Sequence, residues 1–231
     1  MTALTRETIE EMLAAQEGTA LSLEEADLSG LNLSKLNLTG SNMRGANLSG
    51  VKMQNSQVRD VDLRGANLEG ANLSKSNLSG CNLHRANLKK AKMSEIYLLK
   101  VDLVHADLSG CNLAKSKLDD ANFQDANLEN SDMDRAFALR ANFSRAKITD
   151  AYLSGANFKD ATLIETNFAG SNLQQAFFGG ATIEGADLRD TNLRDVFMEK
   201  TTYNDETQWS EDVDPTALKA TKKKKRFLGL F

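Results

Sequence analysis

The sequence of 231 residues contains a single proline, and aromatic residues make up only 6% of it. Proline cannot donate to a backbone ladder, so its absence from residues 21–200 is compatible with one long, continuously hydrogen-bonded structure. An ordinary globular core uses more aromatic volume, which indicates that this core is built from small, regular parts. Hydrophobic residues still reach 41%, and this content excludes a disordered chain.

Long apolar segments are missing as well, and none approaches the roughly 18–20 residues that a membrane-spanning helix needs. The N-terminal segment MTALTRETIEEMLAAQEG is acidic and lacks the basic start and apolar stretch of a secretory signal. The only histidines, His84 and His105, lie near Arg85 rather than near carboxylates or thiols, so no metal site is expected. No nucleophile, acid–base pair or phosphate-binding loop stands out. These absences predict a cytoplasmic protein that is not an enzyme and needs no cofactor.

What the sequence does contain is a strict five-residue period. From Leu21 to Lys200 the chain divides into 36 consecutive units without insertion or deletion. Position 3 of each unit is large and apolar, except at Ala138, and position 1 is mostly Ala, Ser, Thr, Cys or Val. Position 2 is mostly Asn or Asp, and positions 4 and 5 are mostly polar or Gly.

A period of five fits neither an amphipathic helix, with 3.6 residues per turn, nor a strand, with a period of two. The chain must therefore turn in every unit and send the side chains at positions 1 and 3 inward. Successive coils can then stack and pair their backbone groups, as buried amides require.

Segments such as ADLSG, ANLEGANLSKSNLSG and SGANFKDATL resemble the A(D/N)LXX motif of pentapeptide repeat proteins, over about three quarters of the chain. The resemblance implies an all-β solenoid: a right-handed quadrilateral β-helix with four units per coil and about nine coils. With about 4.8 Å between coils, the rod would be roughly 43 Å long. Cys81 and Cys111 both occupy position 1, one and a half coils apart, so they would lie on opposite walls as core residues rather than form a disulfide. The family is abundant in bacteria, and in cyanobacteria in particular, which favours a bacterial origin.

The ends of a solenoid need caps because each coil contacts only its neighbours. A short helix is predicted near the N-terminus, with Thr5 as its cap and Ile9, Met12 and Leu13 on its apolar face. The predicted regions are an N-terminal capping helix (1–20), the β-helix (21–205), a C-terminal cap (206–217) and a disordered basic and apolar tail (218–231).

One column of outward side chains departs from the repeat pattern. With four units per coil, residues 20 apart stack, so units 36–40, 56–60 and every fourth unit on to 196–200 form one side of the rod, here called the aromatic face. Its position 2 holds four aromatic residues where Asn or Asp is typical, and two leucines lie beside them at position 4. An exposed apolar stripe of this kind is typical of an interaction surface. The candidate interface residues are Tyr97, Leu99, Phe137, Leu139, Phe177 and Phe197.

Two structural alternatives stay open for the segment AFALR, residues 136–140. The chain could bulge there and turn an outward side chain inward to fill the space left by Ala138. Alternatively, Phe143 and Phe158 fill that space, and the outward aromatics only cover one another. The sequence favours a non-enzymatic, rod-like scaffold or regulatory module for protein–protein interaction. Its partner would be an unidentified protein or a second copy in a homodimer.

Charge separates this interpretation from a second one. Some pentapeptide repeat proteins resemble duplex DNA in size and charge and bind DNA gyrase in its place, which requires a strongly acidic rod. Residues 21–200 contain 23 acidic and 21 basic side chains, without a continuous acidic stripe. A DNA-mimicking modulator of gyrase or another topoisomerase is therefore the alternative. No basic stripe runs along the rod either, so nucleic-acid binding is not expected.

The C-terminal segment TALKATKKKKRFLGLF has no repeat register and combines basic with apolar side chains. It is interpreted as a solubilising tail, as a docking peptide for a partner, or as a weak, reversible contact with an anionic membrane surface. The candidate tail contacts are Lys222, Lys223, Lys224, Lys225, Arg226, Phe227, Leu228, Leu230 and Phe231.

Overall fold

The computed structural model describes residues 4–15 and 20–223. One helix, α1 (Arg6–Ala15), precedes a long stack of coils. Strands of two residues occur only towards the C-terminal end of the described chain. Before them, each coil pairs with the next through single-residue β-bridges. The strands are β1 (Asp187–Leu188), β2 (Thr202–Tyr203), β3 (Gln208–Trp209) and β4 (Thr221–Lys222).

Successive coils pair in parallel through bridges between residues 20 apart. Four five-residue units therefore make one turn of the chain, which is the spacing that the sequence predicts. The N–H at position 3 donates to the following coil, as Ala138 does to the Asn157 carbonyl over 2.8 Å. The N–H at position 2 donates to the preceding coil, as Phe137 does to the Ser116 carbonyl over 2.9 Å. This ladder gives partners to backbone groups that the stack removes from water.

Each unit ends in a tight turn. The fifth residue of every unit from Glu25 to Lys200 has φ between +53° and +76°. The next N–H closes the turn on the position 3 carbonyl, as Ala141 does to Ala138 over 3.2 Å. A left-handed φ costs an ordinary residue about 1–2 kcal/mol, whereas glycine adopts it freely. Most of these positions carry a side chain nonetheless, so the ladder and turn bonds must offset the strain.

The core consists of the side chains at positions 1 and 3, nearly all of them buried. Several serine and threonine hydroxyls at position 1 donate to a carbonyl of the preceding coil, as Ser56 does to Leu33 over 3.0 Å, whereas those of Ser116 and Ser131 have no partner among the described residues. Cys81 lies in the same geometry, with its sulfur 2.7 Å from the Val58 carbonyl oxygen. Burial raises the pKa of the Cys81 thiol to about 12. Both Cys81 and Cys111 are buried and free, so they are core residues.

Helix α1 packs against the N-terminal end of this core. The Thr8 N–H donates to Thr5 Oγ1 over 3.3 Å, so Thr5 caps the helix as predicted. Ile9 is fully buried, and the Arg6 guanidinium donates to the Asn32 carbonyl over 2.9 Å. Met12 and Leu13 also pack against the core.

The prediction of a disordered tail from residue 218 is wrong for residues 218–223. Strand β4 pairs in parallel with β2, and β3 with β1, so the chain continues to coil beyond residue 205. Tyr203 and Trp209 meet edge to face with ring centroids 5.4 Å apart, and Leu218 packs against the core. The strand pairs in this segment are 21 and 19 residues apart instead of 20, so the segment departs from the five-residue period. The apolar contacts order it nonetheless.

Candidate protein-interaction surface

The segment 136–140 keeps the register of the coils around it. Ala138 is buried, whereas the Phe137 side chain is 41% exposed. Phe137 bridges to Lys117 in one neighbouring coil and to Asn157 in the other. The bulge alternative is therefore excluded, and Phe137 lies on the outside of the rod.

Phenylalanines from neighbouring units occupy the interior next to Ala138. Phe143 and Phe158 meet edge to face with ring centroids 5.6 Å apart. Phe123 stacks on Phe143 at 4.6 Å, and all three rings are fully buried. The second alternative thus describes the core correctly, with Phe143 and Phe158 beside Ala138. The cluster continues to Phe168 and Phe178.

The aromatic face carries a row of exposed rings. Tyr97 is 46% exposed, Phe177 45% and Phe197 60%. Leu99 and Leu139 are half-buried beside them at position 4. Successive rings from residue 97 to residue 177 are two coils apart, which corresponds to about 10 Å. All six candidate interface residues therefore lie on one side of the rod.

Contacts within this face orient the rings without covering them. Lys117 Nζ lies 3.3 Å from the ring centroid of Phe137, in a cation–π contact. Phe177 stacks on Phe197 with centroids 5.5 Å apart. Among the described residues no other ring contact joins the four outward aromatics. Phe177 and Phe197 therefore cover each other in part, whereas Tyr97 and Phe137 have no aromatic partner in the described part of the chain and are exposed to solvent.

An aromatic residue at position 2 removes a local hydrogen bond. Asn or Asp at this position accepts a bond from the N–H at position 4 of its own unit, as Asn77 does from Ser79 over 3.0 Å. The Phe137 unit has a substitute, because the Leu139 N–H donates to Asp119 Oδ1 in the preceding coil over 3.0 Å. The five-residue pattern does not predict this acceptor.

The corresponding N–H groups of the Tyr97, Phe177 and Phe197 units have no acceptor within the described part of the chain. An intramolecular hydrogen bond of this kind contributes about 0.5–1.5 kcal/mol. A coil with an aromatic residue at position 2 is therefore less stable than the same coil with Asn or Asp. Coil stability does not explain why the aromatic residues are present.

Charged side chains border the aromatic face. Arg140 donates to both carboxylate oxygens of Asp120, with 2.7 Å for each bond, and these bonds lower the pKa of Asp120. At position 4, half-buried Asp119 and exposed Lys159 flank Leu139. Neither Asp119 nor Lys159 belongs to one of the ion pairs of the described chain.

The first part of the candidate tail is held by the rod. Lys222 pairs with Asp205 over 2.5 Å, and Lys223 with Glu184 over 2.6 Å. Phe197 borders a cleft of about 170 Å³ next to Ala217, which is smaller than the roughly 300–1,000 Å³ of small-molecule sites. The other tail candidates, Lys224, Lys225, Arg226, Phe227, Leu228, Leu230 and Phe231, lie outside the described residues.

Residues 4–15 and 20–223 contain neither a candidate metal site nor a membrane-spanning helix. No group of three or more His, Cys, Asp or Glu side chains there could hold a metal ion. His84 and His105 meet edge to face with centroids 5.6 Å apart, without such a group around them. No helix in these ranges has the length and apolar character needed to cross a membrane.

The sequence pattern of pentapeptide repeats, in eight copies, matches residues 22–59, 59–95, 96–135, 121–160, 141–180 and 161–199. The chain belongs to the pentapeptide repeat family. A trypsin-treated form of QnrB1, a plasmid-mediated fluoroquinolone resistance protein, is 20% identical with a TM-score of 0.57, over 81% of this chain and 92% of QnrB1.

HetL from the cyanobacterium Nostoc sp. strain PCC 7120, which is involved in heterocyst differentiation regulation, is 24% identical over 94% of this chain and 92% of HetL, with a TM-score of 0.48. At 20% identity the likeness to QnrB1 concerns the fold alone, a β-helix of stacked coils. No curated protein matches the sequence significantly.

Proposed function

We propose that this pentapeptide repeat protein is a non-enzymatic, cytoplasmic scaffold or regulatory protein that binds another protein chain through its aromatic face. The observation that carries the proposal is the row of aromatic residues at position 2, where the coil itself favours Asn or Asp. These rings are 41–60% exposed and forgo a local hydrogen bond. A contact outside the coil accounts for both features, and aromatic side chains are common anchors of interfaces.

The rod supplies the geometry of such a contact. In this proposal it is a right-handed, quadrilateral β-helix of about nine coils. Tyr97 and Phe177 are four coils apart, which corresponds to about 19 Å. Because the ladder fixes the backbone between them, the anchors lose little conformational freedom on binding, and this favours affinity.

The charge distribution does not favour the DNA-mimic alternative. Basic side chains pair with acidic ones along the rod, as Arg44 does with Glu24 and Arg145 with Asp125. A mimic of the DNA duplex needs a continuous acidic surface instead. The membrane alternative loses two of its basic contacts, because Lys222 and Lys223 pair with carboxylates of the rod.

Site-specific photo-crosslinking in cells tests the proposal. The photoreactive analogue p-benzoylphenylalanine replaces Phe177 in one variant and Tyr152 in the control variant. Tyr152 is 62% exposed on another side of the rod. We expect a discrete protein adduct from position 177 and none from position 152. Equal adducts from both positions, or none from position 177, would contradict the proposal.

A further inference from the structure

We propose that the chain occupying the aromatic face is a second copy of this protein, packed antiparallel; the inference rests on the proposed function. The order of side chains along the face is the first argument. Ring and polar side chains alternate symmetrically about Phe137, and the bridges place them in adjacent coils. A two-fold axis across the rod at Phe137 therefore sets Tyr97 opposite Phe177 and Phe137 opposite Phe137 of the second copy, whereas Phe197 meets Asn77. Position 2 reads Tyr97, Lys117, Phe137, Asn157 and Phe177.

The position 4 column gives the second argument. The same axis keeps position 4 opposite position 4 and reverses the order of the coils, so Leu139 meets Leu139 of the second copy. Asp119 then faces Lys159 of the second copy, and this pair occurs twice. Within the described chain both side chains are free of ion pairs and available for this contact. Complementary charges of this kind fix the register of an interface.

The corner column at position 5 contributes like-charge contacts that compensate one another. The axis places Asp120 opposite Asp160 and Arg140 opposite Arg140 of the second copy. Arg140 lies between Asp120 and Asp160 in the column and binds Asp120 through two hydrogen bonds of 2.7 Å. Each copy thus brings a guanidinium to the carboxylates, and this exposed corner is screened by salt.

The facing columns favour antiparallel over parallel pairing. In a parallel pair the two-fold axis runs along the rod, so position 4 faces position 2 of the same coil. Asp119 would then face Lys117 of the second copy, and Lys159 would face Asn157 without meeting a carboxylate. Antiparallel packing gives both Asp119 and Lys159 an opposite charge.

Charge reversal tests the pairing in the full-length chain. In a homodimer of Asp119→Lys, lysines would face lysines, and in a homodimer of Lys159→Asp, aspartates would face aspartates. We expect sedimentation and light scattering to show a wild-type dimer that each single variant weakens at least tenfold. An equimolar mixture of the two variants, or the chain with both reversals, restores the dimer because opposite charges again face each other.

Matched controls separate association from folding. Asp119→Asn removes the charge but keeps an acceptor for the Leu139 N–H, so it should weaken the dimer less than Asp119→Lys. Circular dichroism checks that every variant melts like the wild type. If mixing restores nothing, or if Lys159→Asp alone leaves the dimer unchanged as in a parallel pair, the antiparallel arrangement is wrong.

One variant distinguishes the absence of a dimer from the absence of any binding role for the aromatic face. The variant for this purpose combines Tyr97→Asn, Phe137→Asn and Phe177→Asn. If the wild type is monomeric at all concentrations while this variant folds with equal stability, self-association fails and the face stays free for a different protein. If the variant unfolds, the rings are structural and both proposals fail.

Discussion

At the scale of the residue, the side chain at position 2 determines whether a unit forms hydrogen bonds within and between coils or exposes an apolar ring to solvent. Asparagine there accepts the N–H at position 4, and its amide also donates between coils, as Asn87 does to Asn67 over 3.0 Å. An aromatic residue gives up both bonds and gains an exposed ring. The two kinds of unit have the same backbone conformation, so their contributions to the free energy of unfolding can be compared directly.

Substitutions at neighbouring coils measure this local bond. We expect Asn77→Ala to lower the free energy of unfolding by about 1 kcal/mol, because the Ser79 N–H loses its acceptor. Conversely, Tyr97→Asn should be more stable than Tyr97→Ala by a similar amount, since it supplies the acceptor that the Leu99 N–H lacks. Urea unfolding of the four chains gives both differences. Equal stability of the two Tyr97 variants would show that the bond does not form.

Ala138 provides a second prediction at this scale. Replacing Ala138 with Leu restores the residue type that is typical of position 3, yet we expect it to destabilise the protein by about 1–3 kcal/mol, because Phe143 and Phe158 already fill the adjacent core. Combining Ala138→Leu with Phe158→Leu should recover part of the loss, as thermal unfolding of the double-mutant cycle would reveal. A neutral or stabilising Ala138→Leu would mean that the space is empty.

At the scale of the element, adjacent coils are tied by side chains as well as by the ladder. Arg145 donates to both carboxylate oxygens of Asp125 over 2.8 Å each. These bonds, together with one from the Gln124 amide, lower the pKa of Asp125 to about 2 from its ordinary 3.8. Because the folded pKa is the lower one, the stabilisation is fully present above about pH 4 and is lost as the pH falls through about 2.

The acid limb of the stability curve tests this tie. Asp125→Asn should lose less stability than the wild type between pH 4 and pH 2, since it has no such carboxylate to protonate. At neutral pH the effect should be small, because the Arg145 side chain is half exposed. Asp150→Asn, at the same position of its unit but with no ion pair of its own among the described residues, is the control and should follow the wild type. Parallel pH profiles for all three chains would refute the assignment.

The sequence predicts some elements well and others not at all. The repeat region follows from the five-residue period, and the helix follows from the Thr5 cap and its apolar stripe. The aromatic face emerges by counting in steps of 20. The orientation of residues 136–140 could not be derived, because Ala138 is compatible with two packings that differ only in what fills the core. The coil ending in β4 escapes prediction because its pairing slips by one residue in each direction.

At the scale of the whole molecule, stacked coils turn local sequence choices into a long surface. Each coil contacts only its neighbours, so a ring at position 2 does not disturb coils further away. A column of aromatic residues can therefore accumulate on one side while the core and the ladder stay intact. The same independence lets Asp119 and Lys159 occupy position 4 on either side of Leu139, and this order gives the proposed pair its antiparallel direction.

This coupling between assembly and stability yields the last prediction. If the dimer forms only from folded chains, the melting temperature of the wild type should rise with protein concentration, by roughly 1–3 °C for each tenfold increase above the dissociation constant. Phe137→Asn, at the centre of the face, should melt at a temperature that does not depend on concentration, because it stays monomeric. Tyr152→Asn, on another side of the rod, should keep the wild-type dependence. Scanning calorimetry over a hundredfold concentration range makes the comparison, and a flat wild-type curve would rule out a dimer that stabilises the rod.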